Sequence, residues 1–484
     1  MTAEREHGLE RLTNFGGNQQ WYSNRYQPAS EAEVLQILAE HPGVTIRAIG
    51  SGHSWSNIAA NTNIVLDMSR LNVVTPIKVD GLELVRVGAG CRLEDLLDRL
   101  HAATDRTLPT LGAIKKQTIS GAISTGTHGS GRQSLSHFVA RVRAVVFNAS
   151  TGQPEIQEFS GGADLLAARC GLGCMGIIVS VDIHTVPKYM VSETIRIHRT
   201  IEDVITSFAD NPLSNFLMTP YSWKLVAFER KPVARQAQTT ISAVKARVFR
   251  IVNLIAIDIV FHLLIIGSRM AGLRAVKGFM KLAPHALALI KDIERLDDSE
   301  HVLTMNHQFF RHEEMEIFVR EAELPRTLRF LRASIEVFSG IEAAFPDEFL
   351  GPLKEAELSD VPAARSGSYV HHYPLFCRRV LPEETMISMT ASVDEPLYSI
   401  SIFTYSAPKR RESYYAFCSF VARVLLKLVG VRLHWGKHFP LQYADVAPLY
   451  PRLEEFRALC SAHDRRGVLR NGYTARILNL PPGR

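Results

Sequence analysis

The sequence is poor in the features that most quickly identify a protein class. Cysteine is sparse: Cys91, Cys170, Cys174, Cys377, Cys418 and Cys460 are the six in 484 residues, and no two form a C-x-x-C pair. Thiols so few and scattered in so long a chain do not make a disulfide scaffold, and they fit a reducing, cytoplasmic setting. The net charge of +6 comes without any dense Lys/Arg block, so nucleic acid is not an expected partner. The opening stretch "MTAEREHGLERLTNF" is too polar for a signal peptide. Internal repeats and low-complexity tracts are lacking as well.

Long apolar runs are scarce, with one exception. From Ile251 to Gly267, "IVNLIAIDIVFHLLIIG" is broken only by Asn253, Asp258 and His262, with Lys245, Arg247, Arg250, Arg269 and Arg274 flanking it. A membrane span needs about 20 apolar residues, and an acid at mid-depth is costly. Asp258 and His262 are spaced to share one helical face. The run reads first as a buried or partner-facing helix. Peripheral membrane contact through 251–267 and a true span are the other readings.

What is present suits a soluble globular chain of more than one domain: 46% hydrophobic and 21% charged residues. Ser30 and Glu33 have capping-box spacing ahead of Val34, Ile37 and Leu38, and His41-Pro42-Gly43 ends that helix. "VTIRAIG", "NIVLDM", "LELVRVGAG", "RVRAVVFNASTG" and "GIIVSVDIHTV" read as strands, and "CRLEDLLDRLHAA" as an amphipathic helix. Beyond Pro187 come the strand "YSWKLVAFER", a basic and apolar insert at about 245–291, and "EMEIFVREAELPRTLRFLRASIEVF", a strand leading into a helix. The strand "PLYSISIFTYSA" and the helix "RRESYYAFCSFVARVLLKLVG" follow.

Four stretches carry chemistry. In "GSGHSWS", Gly50 and Gly52 permit unusual backbone angles and close ligand approach. His53 between them and Trp55 is open to several readings: general base, phosphate loop, cofactor anchor or incidental surface histidine. Zinc would need a partner His or Cys at ligand spacing, and none is nearby, so no metal is expected. "TISGAISTGTHGSG" is dense in glycine and hydroxyls, as a backbone wrapping a phosphate-bearing cofactor would be. It lacks the Walker lysine. "GLGCMG" matches G-x-G-x-x-G but precedes a strand, so it reads as a turn rather than a nicotinamide site. "HWGKHF" places two cations and an indole close together, which suits an anionic or electron-rich ring.

Taken together, "GSGHSWSN", "LPTLGAIKKQTISGAISTGTHGSG", "GLGCMGIIVSV", "HWGK" and "GVLRNGY" resemble, in order and spacing, the aldonolactone oxidoreductases. These are flavoenzymes of the vanillyl-alcohol oxidase/p-cresol methylhydroxylase superfamily, among them gulonolactone, arabinonolactone and alditol oxidases. The likeness runs from about Trp21 to Tyr473. It implies an α+β fold: a two-subdomain p-cresol methylhydroxylase-type FAD-binding domain over residues 1–190 and an α+β substrate (cap) domain with an antiparallel sheet over 191–433. Residues 434–484 would return to the FAD domain.

By the same resemblance His53 is the covalent attachment point of FAD. Gly50, Ser51, Gly52 and Ser54 hold the pyrophosphate, and Ser120, Gly121, Thr125, Thr127, His128 and Gly129 line its other side. Ile177 would lie against the adenine end. His434 and Lys437 match the family's HWxK residues, with Lys437 near the substrate oxygen, where a cation stabilises developing negative charge. The implied reaction removes hydride from a hydroxyl-bearing carbon of a sugar lactone or polyol to flavin N5, and oxygen becomes hydrogen peroxide. Gly112, at the family's small position, implies room for oxygen and hence an oxidase. Ala113 follows it, as in gulonolactone oxidase-like members.

One departure matters. The family carries Glu-x-Arg on a substrate-domain strand, and in "HHYPLFCRRV" Arg378 fits the arginine while Phe376 stands where the glutamate should be. Either Glu314 or Glu316 compensates, or the substrate is a larger, less polar alcohol.

Overall fold

In the computed structural model, which describes residues 5–6, 8–235, 247–248, 250–251, 259–288, 294–305 and 311–483, the fold is α+β. The first sheet holds β1 (Arg5–Glu6), β2 (Leu9–Thr13), β3 (Gln20–Tyr26), β4 (Ile46–Ile49) and β5 (Ile64–Asp67), in the order β1-β2-β3-β5-β4. β4 and β5 run parallel, as do β3 and β5, so the chain must cross over between β3 and β4. The helix Glu31–Glu40 makes that crossing and buries Val34, Ile37 and Leu38. Ser30 caps it by accepting the Glu33 N–H, but the Glu33 carboxylate accepts from Ala29 N, so only half of the expected capping box forms.

The second sheet is antiparallel, in the order β10-β9-β11-β7-β6. Its strands are β6 (Val74–Val79), β7 (Leu82–Gly88), β9 (Val139–Phe147), β10 (Pro154–Phe159) and β11 (Ile177–His184). β6 escapes the sequence pattern because it is an edge strand with exposed Thr75, Pro76 and Lys78, where proline costs no ladder bond. β8 (Arg106–Thr107) and β12 (Val186–Pro187) form a small separate pair.

The third sheet has eight antiparallel strands in the order β16-β13-β15-β14-β18-β19-β17-β20. They are β13 (Met190–His198), β14 (Asn215–Met218), β15 (Leu225–Val233), β16 (Arg295–Asp298), β17 (Glu313–Arg320), β18 (Leu375–Val380), β19 (Leu397–Thr404) and β20 (Arg432–Leu433). The helices Leu324–Phe338 and Glu412–Val429 pack together beside β17, with Phe338 and Phe417 ring centroids 5.2 Å apart. The longer helix ends at Gly430, whose φ of +63° makes a left-handed cap.

The last segment turns back to the amino-terminal sheets. Asn471 Nδ2 donates to the carbonyls of Asn57, Ile58 and Ala60, and Arg47 donates to the Leu469 carbonyl at 2.6 Å. Of the apolar run, Asp258 lies outside the described residues. His262 is buried at the start of the helix His262–Met270, its Nε2 3.0 Å from the Tyr405 hydroxyl. Among the described residues no helix is long and apolar enough to cross a membrane.

Candidate functional site

A deep cavity lies between the loop after β4, the segment 112–128, and one face of the eight-stranded sheet. Its two ends differ in chemistry.

The glycine-rich end is built by close backbone approach. A Cβ on Gly50 would stand 2.0 Å from Thr118 Oγ1, and Gly52 has a φ of +67°, so both positions need glycine. The stretch expected to wrap a cofactor as loop instead contains a short helix, Ile119–Ser124. Its apolar Ile119, Ala122 and Ile123 repeat at helical spacing and are buried, which outweighs the glycine and hydroxyl content. Ser120, Gly121, Thr125, Thr127 and His128 all line the cavity, as do Gly50, Ser51, Gly52, His53, Ser54 and Gly112.

Two expected residues lie elsewhere. The Ile177 side chain is buried in the core under the helix Glu31–Glu40, and its neighbours Gly176 and Ile178 reach the cavity. Successive strand residues point to opposite faces, and Ile177 has the wrong parity. Gly129 borders a smaller adjoining cavity with Arg132 and Tyr189, held tightly against Leu111. Gly112 has a packing role: a Cβ there would meet the Thr127 methyl at 2.5 Å. "GLGCMG" is a turn, as read, with Leu172 and Gly173 at positive φ just before β11.

His53 sits over this end, stacked on Phe15 at 4.9 Å between centroids. Burial, then the charges of Arg92, Lys116 and Lys437, push its pKa down to about 4, so the imidazole is neutral. Its Nδ1 is buried and has no hydrogen-bond partner, and neither has Thr118 Oγ1. A dinucleotide cofactor fits these observations. The cradle is one that side chains would fill, and the unpaired atoms are ones a bound group would satisfy.

The other end is a charged cluster against an aromatic wall. β17 presents Glu314 and Glu316 on one face, both buried. Arg378 Nη2 donates to Glu316 Oε1 at 2.5 Å, and His128 Nε2 lies 3.4 Å from the same oxygen. Lys437 is ion-paired with Glu314, lies 4.0 Å from Glu316 Oε2, and rests 4.5 Å from the centre of the Trp55 ring. Burial opposes ionisation of Glu316, but Arg378, His128 and Lys437 outweigh it and hold its carboxyl well below the usual range. His128, Glu316 and His434 bring donor atoms within 4.8 Å of one another. Arg378 and Lys437 already supply the positive charge this carboxylate faces.

His434 is buried, and burial holds its pKa well below the ordinary value. Its Nδ1 accepts the Gly436 N–H at 3.1 Å, so the neutral ring carries its proton on Nε2. Phe261, Tyr373, Phe376, Phe403, Leu217 and Phe228 complete the wall, with Arg378 5.2 Å from the Phe376 ring centre. The motifs did not disclose this wall. Its residues come from five separated segments and carry no local signature.

The sheet register explains the position of the acid. Phe376 on β18 pairs with Ser401 on β19, and Ser401 pairs with Glu316 on β17. One cross-strand row therefore holds phenylalanine, a small serine and the carboxylate.

Comparison with known proteins follows the same division. Residues 24–153 match the family model of an FAD binding domain, and residues 181–477 match that of D-arabinono-1,4-lactone oxidase. A long-chain alcohol oxidase from an uncultured marine euryarchaeote is 39% identical over 96% of both chains. An L-gulono-1,4-lactone dehydrogenase of Mycobacterium tuberculosis is 26% identical, over 93% of this chain and 95% of that one. A crystal structure of cholesterol oxidase from B. sterolicum shares the fold, with a TM-score of 0.71 at 14% identity, over 99% of this chain and 100% of that one.

Proposed function

The chain belongs to the D-arabinono-1,4-lactone oxidase family of FAD-dependent oxidoreductases, and on that premise we propose that its substrate is a long, weakly polar alcohol. It binds FAD and oxidises a CH–OH group of a small molecule, with oxygen as acceptor. When bound, the flavin supplies the hydride acceptor and passes the electrons to oxygen.

The observation that carries the substrate reading is Phe376. Where the family's glutamate would bond a sugar hydroxyl, this chain has an aromatic ring, with Phe261, Tyr373 and Phe403 beside it. A site that binds a hydroxyl through a carboxylate discriminates strongly, and replacing the carboxylate by a ring favours an alkyl chain. The higher identity to a long-chain alcohol oxidase than to a gulonolactone dehydrogenase supports the same reading. Peroxide release from 1-alkanols, compared with release from L-gulono-1,4-lactone and xylitol, tests it.

The chain's own residues divide the work. Gly50, Ser51, Gly52, Ser54, Ser120, Gly121, Thr125 and Thr127 hold the cofactor phosphates. His53 carries the covalent bond, for which a neutral imidazole with an unpartnered nitrogen is suited. Lys437 and Arg378 hold positive charge at the substrate oxygen, and His434 offers its Nε2–H to the same region.

The helices His262–Met270 and Leu273–Ala288 rest on an anionic membrane surface at the cytoplasmic side. Leu263, Leu264, Met270 and Leu282 are exposed, Arg274 and Lys281 are exposed among them, and the adjoining Phe261 lines the cavity. An apolar alcohol would pass from lipid to site past that ring.

A further inference from the structure

We propose that Glu314 is the proton acceptor of the reaction, taking the substrate's hydroxyl proton on its Oε1. The proposal rests on reading this cavity as the alcohol-oxidising site.

Glu314 and Glu316 are two apart on β17, line the same cavity and each keep one oxygen without a hydrogen-bond partner: Oε1 of Glu314 and Oε2 of Glu316. Their surroundings assign different tasks. Glu316 is engaged by Arg378 and His128 and has Lys437 at 4.0 Å, so its charge is pinned and it serves to position Arg378. Glu314 pairs with Lys437. When Glu314 takes a proton, Lys437 still has the Glu316 carboxylate 4.0 Å away, shared with Arg378.

Lys437, Arg378 and His434 have no lone pair to offer the substrate. Lys437 is an ammonium paired with a carboxylate, and Arg378 is a guanidinium. His434 Nδ1 is taken by the Gly436 N–H, which leaves only a donor on Nε2. His128 faces protein oxygens with both nitrogens, Nε2 3.4 Å from Glu316 Oε1 and Nδ1 3.0 Å from the Gly129 carbonyl.

The step balances. The substrate O–H bond breaks and its proton goes to Glu314. The C–H bond breaks with its electron pair, and the hydride passes to the enzyme's flavin. The C–O bond becomes C=O, so the alcohol is oxidised and the flavin is reduced.

Infrared difference spectra of the anaerobic holoenzyme, before and after one equivalent of alcohol, give a readout independent of turnover. A new carboxylic-acid C=O band is expected, shifting to lower frequency in D2O, absent from E314Q and kept in E316Q. In stopped flow, E314Q should slow flavin reduction by about 100-fold or more, the range of general-base loss. Its affinity for a non-oxidisable tertiary alcohol should stay within about threefold of wild type, whereas E316Q should weaken that affinity more than it slows reduction. Absence of the band in wild type overturns the proposal without any variant. So does an E314Q that reduces at the wild-type rate. A wild type that no alcohol reduces overturns the substrate reading, and this proposal with it.

Discussion

Arg378 on β18 reaches across β19 to bond Glu316 on β17, Nη2 to Oε1 at 2.5 Å, with Ser399 and Ser401 of β19 buried between them. Side chains two strands apart in a sheet are about 10 Å apart at the backbone, so only a long arginine passing over small residues closes the gap. The arginine thus keeps a carboxylate partner although Phe376, two residues away on its own strand, is not one.

Phe376→Glu should therefore restore polar recognition at the cost of the apolar wall. The ratio of kcat/KM for a long alcohol to that for L-gulono-1,4-lactone is expected to fall by at least about tenfold. Phe376→Leu, which keeps the wall apolar, should leave the ratio within about threefold. Equal ratios in all three proteins would remove Phe376 from substrate selection.

The attachment at His53 is read from colour. Acid-denatured wild type should stay yellow in the precipitate, and His53→Ala should release its flavin to the supernatant. Flavin released from denatured wild type would mean that the bond is not formed.

The buried His371 and His372 and the half-buried His438 make the fold acid-sensitive. Burial is the largest cause in each case, and it pushes His372 and His438 down to about 4 and His371 down to about 3. An unfolded chain protonates these rings near pH 6.5, so below that pH the unfolded state binds more protons and stability falls as pH drops. The urea midpoint should decline from about pH 6.5 toward pH 4, and His372→Gln should flatten the decline. A midpoint constant over that window would contradict the assignment.

Membrane contact is tested by flotation with vesicles containing anionic lipid. Wild type should float at low salt and less at high salt, and the double variant Leu263→Glu with Leu264→Glu should not float. Peroxide release from a short, freely soluble alcohol should be unchanged in that variant, because both leucines face outward. Wild type that stays at the bottom of the gradient would exclude the docking.

The amino-terminal half of the site is legible in the sequence because it is local. Gly50, Gly52 and His53 lie within one turn, and Thr118 to His128 within one short segment, so spacing alone brings their chemistry together. Ile177 and Gly129 fall outside the cavity because side-chain direction along β11 and tight packing on Leu111 decide which atoms reach it. The short helix Ile119–Ser124 is hidden by glycine and serine, which favour turns in isolation and yield to burial of Ile119 and Ile123. The acid that faces Arg378 is legible only as a choice between Glu314 and Glu316. Its position depends on the register of β17, β19 and β18, whose segments are far apart in the chain and meet only on folding.

The most direct measurement of the central claim is the initial rate of peroxide release by purified holoenzyme, with primary alcohols of increasing chain length set beside L-gulono-1,4-lactone and xylitol. The account predicts that kcat/KM rises with chain length and that every long alcohol exceeds both sugars. A lactone or polyol as the better substrate, with no gain from added methylenes, would contradict it.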